Sequence, residues 1–342
     1  MADAFPPPAS ALRTPIRAAP PGQVDLRPLT TSELIDRGFR LYRTHFAGFL
    51  LLALLCQTGP LLSQVLITMT GIAPTQSELM NNPFGSLGRA GLTLVITLLA
   101  QLAVFGFEVI LTFYISDAYL GKDPSVTSSL SKFATRLWAS VWTFVLSRVL
   151  ISLTLVFPLL VMAAVYVYTV IFPPAQFLAL VVFAVVAILL FIASLVPVLV
   201  VFMRIWVTIP PLALERLSGW KAVWRSVELV RYDPGLGIFY WGEMRLSFLL
   251  LPLFVIELLI LSLTLLPLTL YEFSEALRYG TTQFNSPPEA TLIVSTLLTF
   301  LAGSLILPLY PIATTLFYYD VRIRREGFDL EFLAENLGGS PR

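Results

Sequence analysis

Four charged residues stand inside or beside long apolar runs of this 342-residue chain: Glu108, Arg148, Glu243 and Arg245. A charge at mid-bilayer costs roughly 2.5–3.5 kcal/mol on insertion scales, so such residues face a bundle interior and pair. Counting in from Asp117, Trp138 and Asp233 at about 1.5 Å per residue puts all four on the order of 15 Å from one side of a membrane. Acids and arginines at one depth have two uses. Paired, they fix helix packing; facing a void, they line a polar cavity for a lipid headgroup or small solute. Glu257 lies deeper in the run that follows Glu243, Gln101 shares a helix face with Glu108, and Gln57 is available from the first run. The expectation is one intramembrane polar cluster, Glu108–Arg148–Glu243–Arg245.

Other chemistry finds few parts. His45 is the sole histidine and Cys56 the sole cysteine, which excludes HExxH and Cys-rich metal sites and any internal disulfide. A Ser-His-Asp triad would need His45, beside Arg43 at the predicted membrane boundary, and no GxSxG elbow accompanies it. No glycine-rich phosphate loop occurs. The sequence therefore predicts no catalytic residue, no metal, no cofactor and no nucleic-acid partner.

The elements that must position these charges are membrane helices. Apolar residues make up 57% of the chain and charged ones 13%, against about 45–50% and about 25% in a soluble domain. Six apolar segments reach the roughly 20 residues needed to span a bilayer. They run approximately over Phe46–Ile72, Leu92–Ile115, Trp138–Phe172, Gln176–Met203, Gly237–Tyr271 and Thr291–Tyr318. The third and fifth are longer than one span requires, and Pro158 and Pro252 are candidate kink points. Thr75–Arg89 and Glu272–Glu289 are polar enough for short surface helices, whereas the middle connection is little more than Phe172-Pro173-Pro174.

A basic amphipathic helix precedes the first span. In Leu29–Phe46, Thr30 and Glu33 have capping-box spacing and Leu29 with Leu34 that of a hydrophobic staple. Leu34, Ile35, Phe39, Tyr42 and Phe46 line one face. Glu33–Arg37 and Asp36–Arg40 are acid-first i,i+4 pairs. Ser218–Tyr232 is a second such helix, with Trp220, Val223, Trp224, Val227 and Val230 as its expected apolar face. Pro234 and Gly235 terminate it. Aligning Arg37 with Arg225 also matches Leu41 with Leu229 and Arg43 with Arg231. Halfway between lies Ser125–Trp138, with Val126, Leu130, Phe133, Leu137 and Trp138 opposite Lys132 and Arg136. The expected architecture is all-α: a polytopic protein of six transmembrane helices, amphipathic interfacial helices and a three-fold internal repeat. Residues 1–28 form a Pro/Ala-rich disordered cytoplasmic tail without a signal-peptide core. Residues 29–320 form the membrane domain, in units of about 29–120, 121–215 and 216–320. Residues 321–342 form a basic, amphipathic tail in which Phe328, Leu330 and Phe332–Leu333 can fold back or meet a partner.

Most of the 22 lysines and arginines precede span one, follow spans two and four, or follow span six; only Arg89 and Arg278 lie on the opposite side. The positive-inside rule then predicts cytoplasmic termini, and all six tryptophans fall near that interface. Arg37, Arg40, Arg43, Lys221, Arg225 and Arg231 are the candidate contacts to anionic lipid, each worth roughly 1 kcal/mol beside a charged leaflet.

RPLTTSELIDRGFRLYRTHF, LALERLSGWKAVWRSVELVR and FYYDVRIRREGFDLEFL occur in that order. Together they resemble the membrane domain associated with bacterial glycerophosphoryl diester phosphodiesterases, standing alone, over roughly residues 26–337. The resemblance implies fold, topology and a bacterial inner-membrane location. It carries over no catalytic residue, because in that family the activity belongs to a separate soluble domain. The expected role is a non-enzymatic scaffold or accessory subunit in envelope or lipid physiology, with a membrane or cytoplasmic protein partner. The alternative is a transporter or lipid-handling protein built on the polar cluster.

Overall fold

A computed structural model describes residues 26–74, 78, 82–171, 177–231, 242–279 and 288–331. The disordered-tail expectation for most of 1–28, the Phe172-Pro173-Pro174 connection, the Pro234–Gly235 stop and Phe332–Leu333 lie outside the described residues. The elements are α1 (Thr31–Thr44), α2 (Phe46–Thr70), α3 (Pro83–Tyr119), α4 (Val126–Ala134), α5 (Leu137–Ile171) and α6 (Phe177–Trp206), followed by α7 (Ile209–Leu214), α8 (Trp220–Val230), α9 (Gly242–Thr264), α10 (Leu266–Tyr279), α11 (Glu289–Ile306) and α12 (Leu309–Glu326). Every regular element among the described residues is helical. Six runs are long and apolar enough to cross a membrane, which makes this an all-α integral membrane protein.

Local chemistry sets the boundaries. Thr30 caps α1: its hydroxyl accepts from the Glu33 N–H and the Glu33 carboxylate accepts from the Thr30 N–H, the full capping box. Leu29 and Leu34 are both buried beside it. Glu33 also pairs with Arg27 at 2.7 Å, while Arg37 reaches the Tyr119 hydroxyl at 3.2 Å. Asn82 caps α3, whose first turn begins at Pro83, so Pro83–Arg89 extend the span rather than forming a separate surface helix. The fifth apolar run divides at Leu265, where Pro267 supplies no N–H and the Leu268 N–H bonds back to the Leu265 carbonyl. The sixth divides at Leu307-Pro308 for the same reason. Pro158 and Pro252 lie inside α5 and α9 without ending them.

Packing follows a cyclic order. α2 packs on α3 and α11, α5 on α6 and α3, and α9 on α11 and α6. Each short amphipathic helix lies on the end of the preceding pair: α4 on α3, α8 on α6, and α1 on α12. The best-packed core lies in the half of the bundle that carries these short helices. Leu29, Leu34, Phe49, Ile115, Leu229, Leu246 and Phe317 meet there. α12 is buried on all sides from Pro311 to Val321, as expected of a helix surrounded by protein. Farther along the spans, large apolar side chains face outward, among them Leu153, Leu159, Leu189 and Leu259. Those are lipid-facing surfaces.

On α8 the apolar faces divide differently from the expectation. Ala222, Val223, Ser226, Leu229 and Val230 are buried against protein, whereas Trp220 and Trp224 stack on each other and point outward. An indole gains more at the membrane–water boundary, where its N–H stays wet, than in a packed core.

The Glu33 carboxyl is held at about 2, far below its usual 4.5, by the Thr30 N–H first and Arg27 next. A depressed carboxylate stabilises the fold fully above its unfolded value and loses that contribution as pH falls through the folded one. Protection of the Thr30 amide, measured against its intrinsic exchange rate at each pH, should therefore be full above pH 4.5 and fall toward pH 2. Glu33→Gln should remove that pH step.

Candidate functional site

The four membrane charges do not form one cluster. Glu243 accepts from Arg204 Nε at 2.7 Å, and Arg245 donates to Asp320 at 2.8 Å and to the Leu29 carbonyl at 3.1 Å. The physical reason is helical geometry: residues two apart on α9 point to different sides and cannot share a neighbour. Glu108 and Arg148 do share one cavity.

Arg245 belongs to a buried node on α12. Asp320 is completely buried and also accepts from the Leu29 N–H at 2.7 Å and from Arg324 at 2.9 Å. Two neighbours on α12 make further ties. Tyr319 bonds Ser116 of α3 at 2.7 Å, and Tyr318 donates to Glu215, just past α7, at 3.1 Å. Glu215 in turn holds Arg225 of α8 at 2.9 Å, and Arg225 also reaches Glu326. Asp117, near the end of α3, pairs with Lys132 of α4 at 2.6 Å. Thus an acid near the end of each second span fastens the next short helix or, for Asp320, the segment that leads into α1. Sequence reasoning passed over Asp117, Glu215 and Asp320 as interface charges. Their shared position, at the end of an apolar run and shortly before an amphipathic helix, is the signal that was available.

The cavity has a volume of about 160 Å³ and lies among α3, α5, α6, α7 and α12. Glu108 and Thr112 line it from α3, Ser147 and Arg148 from α5, Thr208 from the α6–α7 link and Thr314 from α12. Each of these four hydroxyls donates to a backbone carbonyl of its own helix or turn. Their protons are thus spent within their own helix or turn, which leaves these hydroxyls only acceptor capacity. Glu108 is half-buried, and its carboxylate has no hydrogen-bond or ion-pair partner among the described residues. Arg148 is exposed, stands over the Phe144 ring at 5.1 Å and donates to Gln101 at 3.3 Å. Tyr310, on the same wall, donates to Glu257, which joins that deeper carboxylate to the cavity's rim. The arrangement offers several acceptors around one carboxylate, with one guanidinium at a separate position. It suits a ligand with a donor-rich cationic group and an anionic group. Glu108 and Arg148 are joined here by neither Glu243 nor Arg245.

The six basic surface candidates also separate. Arg40, Arg43, Lys221 and Arg231 are exposed. Arg37 is engaged with Tyr119, its guanidinium 5.7 Å from the ring centre. Arg225 is held by its acids: burial disfavours its charge, but the hydrogen bonds to Glu215 and Glu326 outweigh that and raise its pKa. Gly219, with φ +54, begins α8 in a conformation that favours glycine, and an added Cβ would lie 2.4 Å from the Trp142 ring.

Removing one partner of a buried pair costs roughly 3–5 kcal/mol, because the other charge is left uncompensated. Asp320→Ala should lower the thermal midpoint sharply in detergent, and Arg225→Gln should lower it by less. Lys221→Gln should stay within about 0.5 kcal/mol of the parent, as for surface changes generally. Circular-dichroism melting measures all three. Comparisons with family models, curated proteins and solved structures returned no match, so function rests on these residues.

Proposed function

We propose that this chain is a non-enzymatic, multi-pass protein of a bacterial cytoplasmic membrane that holds a small amine-bearing headgroup or solute in the Glu108 cavity. The observation that carries this reading is the Glu108 carboxylate, unpaired among the described residues and set among hydroxyl acceptors. A carboxyl left unpaired away from water is costly to ionise, so a bound cation would be favoured by restoring its charge. A bound ammonium group would satisfy Glu108 and the hydroxyl oxygens together. Arg148, at the exposed end, suits the phosphate of the same molecule.

Topology and ancestry are part of the proposal. Lysine and arginine placement supports cytoplasmic termini, with α1, α4 and α8 along the inner leaflet. The exposed Arg40, Arg43, Lys221 and Arg231 are its anionic-lipid contacts; Arg37 and Arg225 serve packing instead. The cyclic contact order supports three copies of one helix-plus-hairpin unit. Membership of the membrane-domain family associated with glycerophosphoryl diester phosphodiesterases gains support from the meeting of its three signature segments. Leu29 lies on Asp320, and Glu215 joins Arg225 to Tyr318.

A second reading, an accessory subunit that docks a protein partner, draws on one observation. Trp220, Trp224 and Leu330 are exposed beyond α12 and on α8, in the half that carries the short helices.

The test is full-length protein in nanodiscs of mixed phosphatidylethanolamine and phosphatidylglycerol, followed by native mass spectrometry. The parent should retain phosphatidylethanolamine preferentially, and Glu108→Gln should lose at least nine-tenths of that preference with an unchanged melting midpoint. Equal retention by parent and variant would sink the cavity reading. A stoichiometric protein partner recovered from native membranes would favour the docking role.

A further inference from the structure

We propose that a second cavity, in the half of the bundle opposite the short helices, binds the uncharged, hydroxyl-bearing headgroup of a neutral lipid. The cavity has a volume of about 390 Å³ and is lined by α2, α11, Leu265 and the start of α10. That is within the range of roughly 300–1,000 Å³ typical of small-molecule sites. Its polar lining comes from Gln57, Gln64, Ser295, Thr296 and Thr299, and its apolar lining includes Leu61, Leu268, Leu292 and Phe300.

Three observations point to a ligand. Ser295 is only 6% exposed, and its hydroxyl has no hydrogen-bond partner among the described residues. Serines at such depth ordinarily bond back to their own helix, as Ser304 does to the Phe300 carbonyl at 2.7 Å. Gln57, half-buried, and Gln64, exposed, are seven residues apart and hence on one face of α2, and their amides have no protein partner among the described residues. Finally, Gly303 makes room for Gln57: a Cβ there would lie 2.6 Å from the Gln57 amide nitrogen. A buried hydroxyl without a partner costs about 1–3 kcal/mol on protein scales, so Ser295 calls for an occupant, and the Gln57 and Gln64 amides stand beside it with hydrogen-bonding capacity to spare.

The lining sets the class of occupant. It contains no charged side chain, so an ionised headgroup would be left uncompensated. Amides and hydroxyls both donate and accept, which matches hydroxyl and ester groups on one molecule. The leucines and Phe300 match the acyl chains below them. This site is separate from the Glu108 cavity, which is lined by a different set of helices.

The probe is dioleoylglycerol carrying a diazirine in one chain, incorporated with the full-length protein into nanodiscs and photolysed. Labelled peptides are then mapped by mass spectrometry. We expect labelling within Leu292–Phe300, reduced at least fivefold in Ser295→Ala and in Gln57→Leu. Ser295→Ala removes only an unsatisfied oxygen, so its melting midpoint should be equal to the parent's or higher. Gly303→Ala, which displaces the Gln57 amide, should also reduce labelling, whereas Glu108→Gln should leave it unchanged. Labelling that is unaffected by both Ser295→Ala and Gln57→Leu would overturn the proposal. So would equal labelling by a phosphatidylglycerol probe with the same chain.

Discussion

The fold closes on one buried carboxylate. Asp320 is inaccessible to solvent, yet it is matched on every side by the Leu29 N–H, Arg245 and Arg324. Those partners come from the segment before α1, from α9 and from α12 itself, so a single charge joins the two ends of the described chain to a central span. Such a node is demanding: if any partner is lost, the remaining charges stay buried without compensation. The neighbouring tyrosines extend the constraint. Tyr319 binds α3 through Ser116, and Tyr318 binds Glu215, which holds α8 through Arg225. With α12 fixed at its centre, the positions of the short helices follow.

This constraint explains why the two halves of the bundle differ. Near the short helices, polar ties and apolar burial reinforce each other, and side chains from Phe49 to Val321 form one continuous core. Toward the other end, the spans meet mainly through apolar contact. In lipid there is no hydrophobic drive between helices, so packing there depends on shape and on scattered hydroxyls such as Thr264 and Thr299. A bundle tied firmly at one end has room for cavities farther along, and both cavities lie away from the Asp320 node. Glu108 differs from the other acids for this reason. Asp117, Glu215, Glu243 and Asp320 each face a cation on a neighbouring element, whereas Glu108 faces hydroxyl oxygens and open volume. Charges that hold helices are consumed by holding them. A charge left over is available to a ligand.

Much of this was legible in the sequence because it depends on local chemistry. Composition and run length require membrane helices, since about 20 consecutive apolar residues have no other stable setting in water or lipid. Thr30 and Glu33 specify the start of α1 within a single turn, and the observed cap is the one their spacing predicts. Pairing among distant charges was not legible. Glu243 and Arg245 look like companions of Glu108 and Arg148 by depth alone, but depth gives one coordinate, and the rotation of α9 about its axis sends them to Arg204 and Asp320. The same loss of angular information hid the division of α8, where Trp220 and Trp224 turn outward while Val223 and Leu229 turn in. The sequence by itself determined which segments are helical and that they suit a membrane, and it specified the start of α1, because those properties arise within a few turns of chain. Only the tertiary structure decided which charges are spent on packing and which face a cavity, because a partner such as Leu29 for Asp320 lies 291 residues away. No local pattern records a contact made by folding the whole chain round on itself.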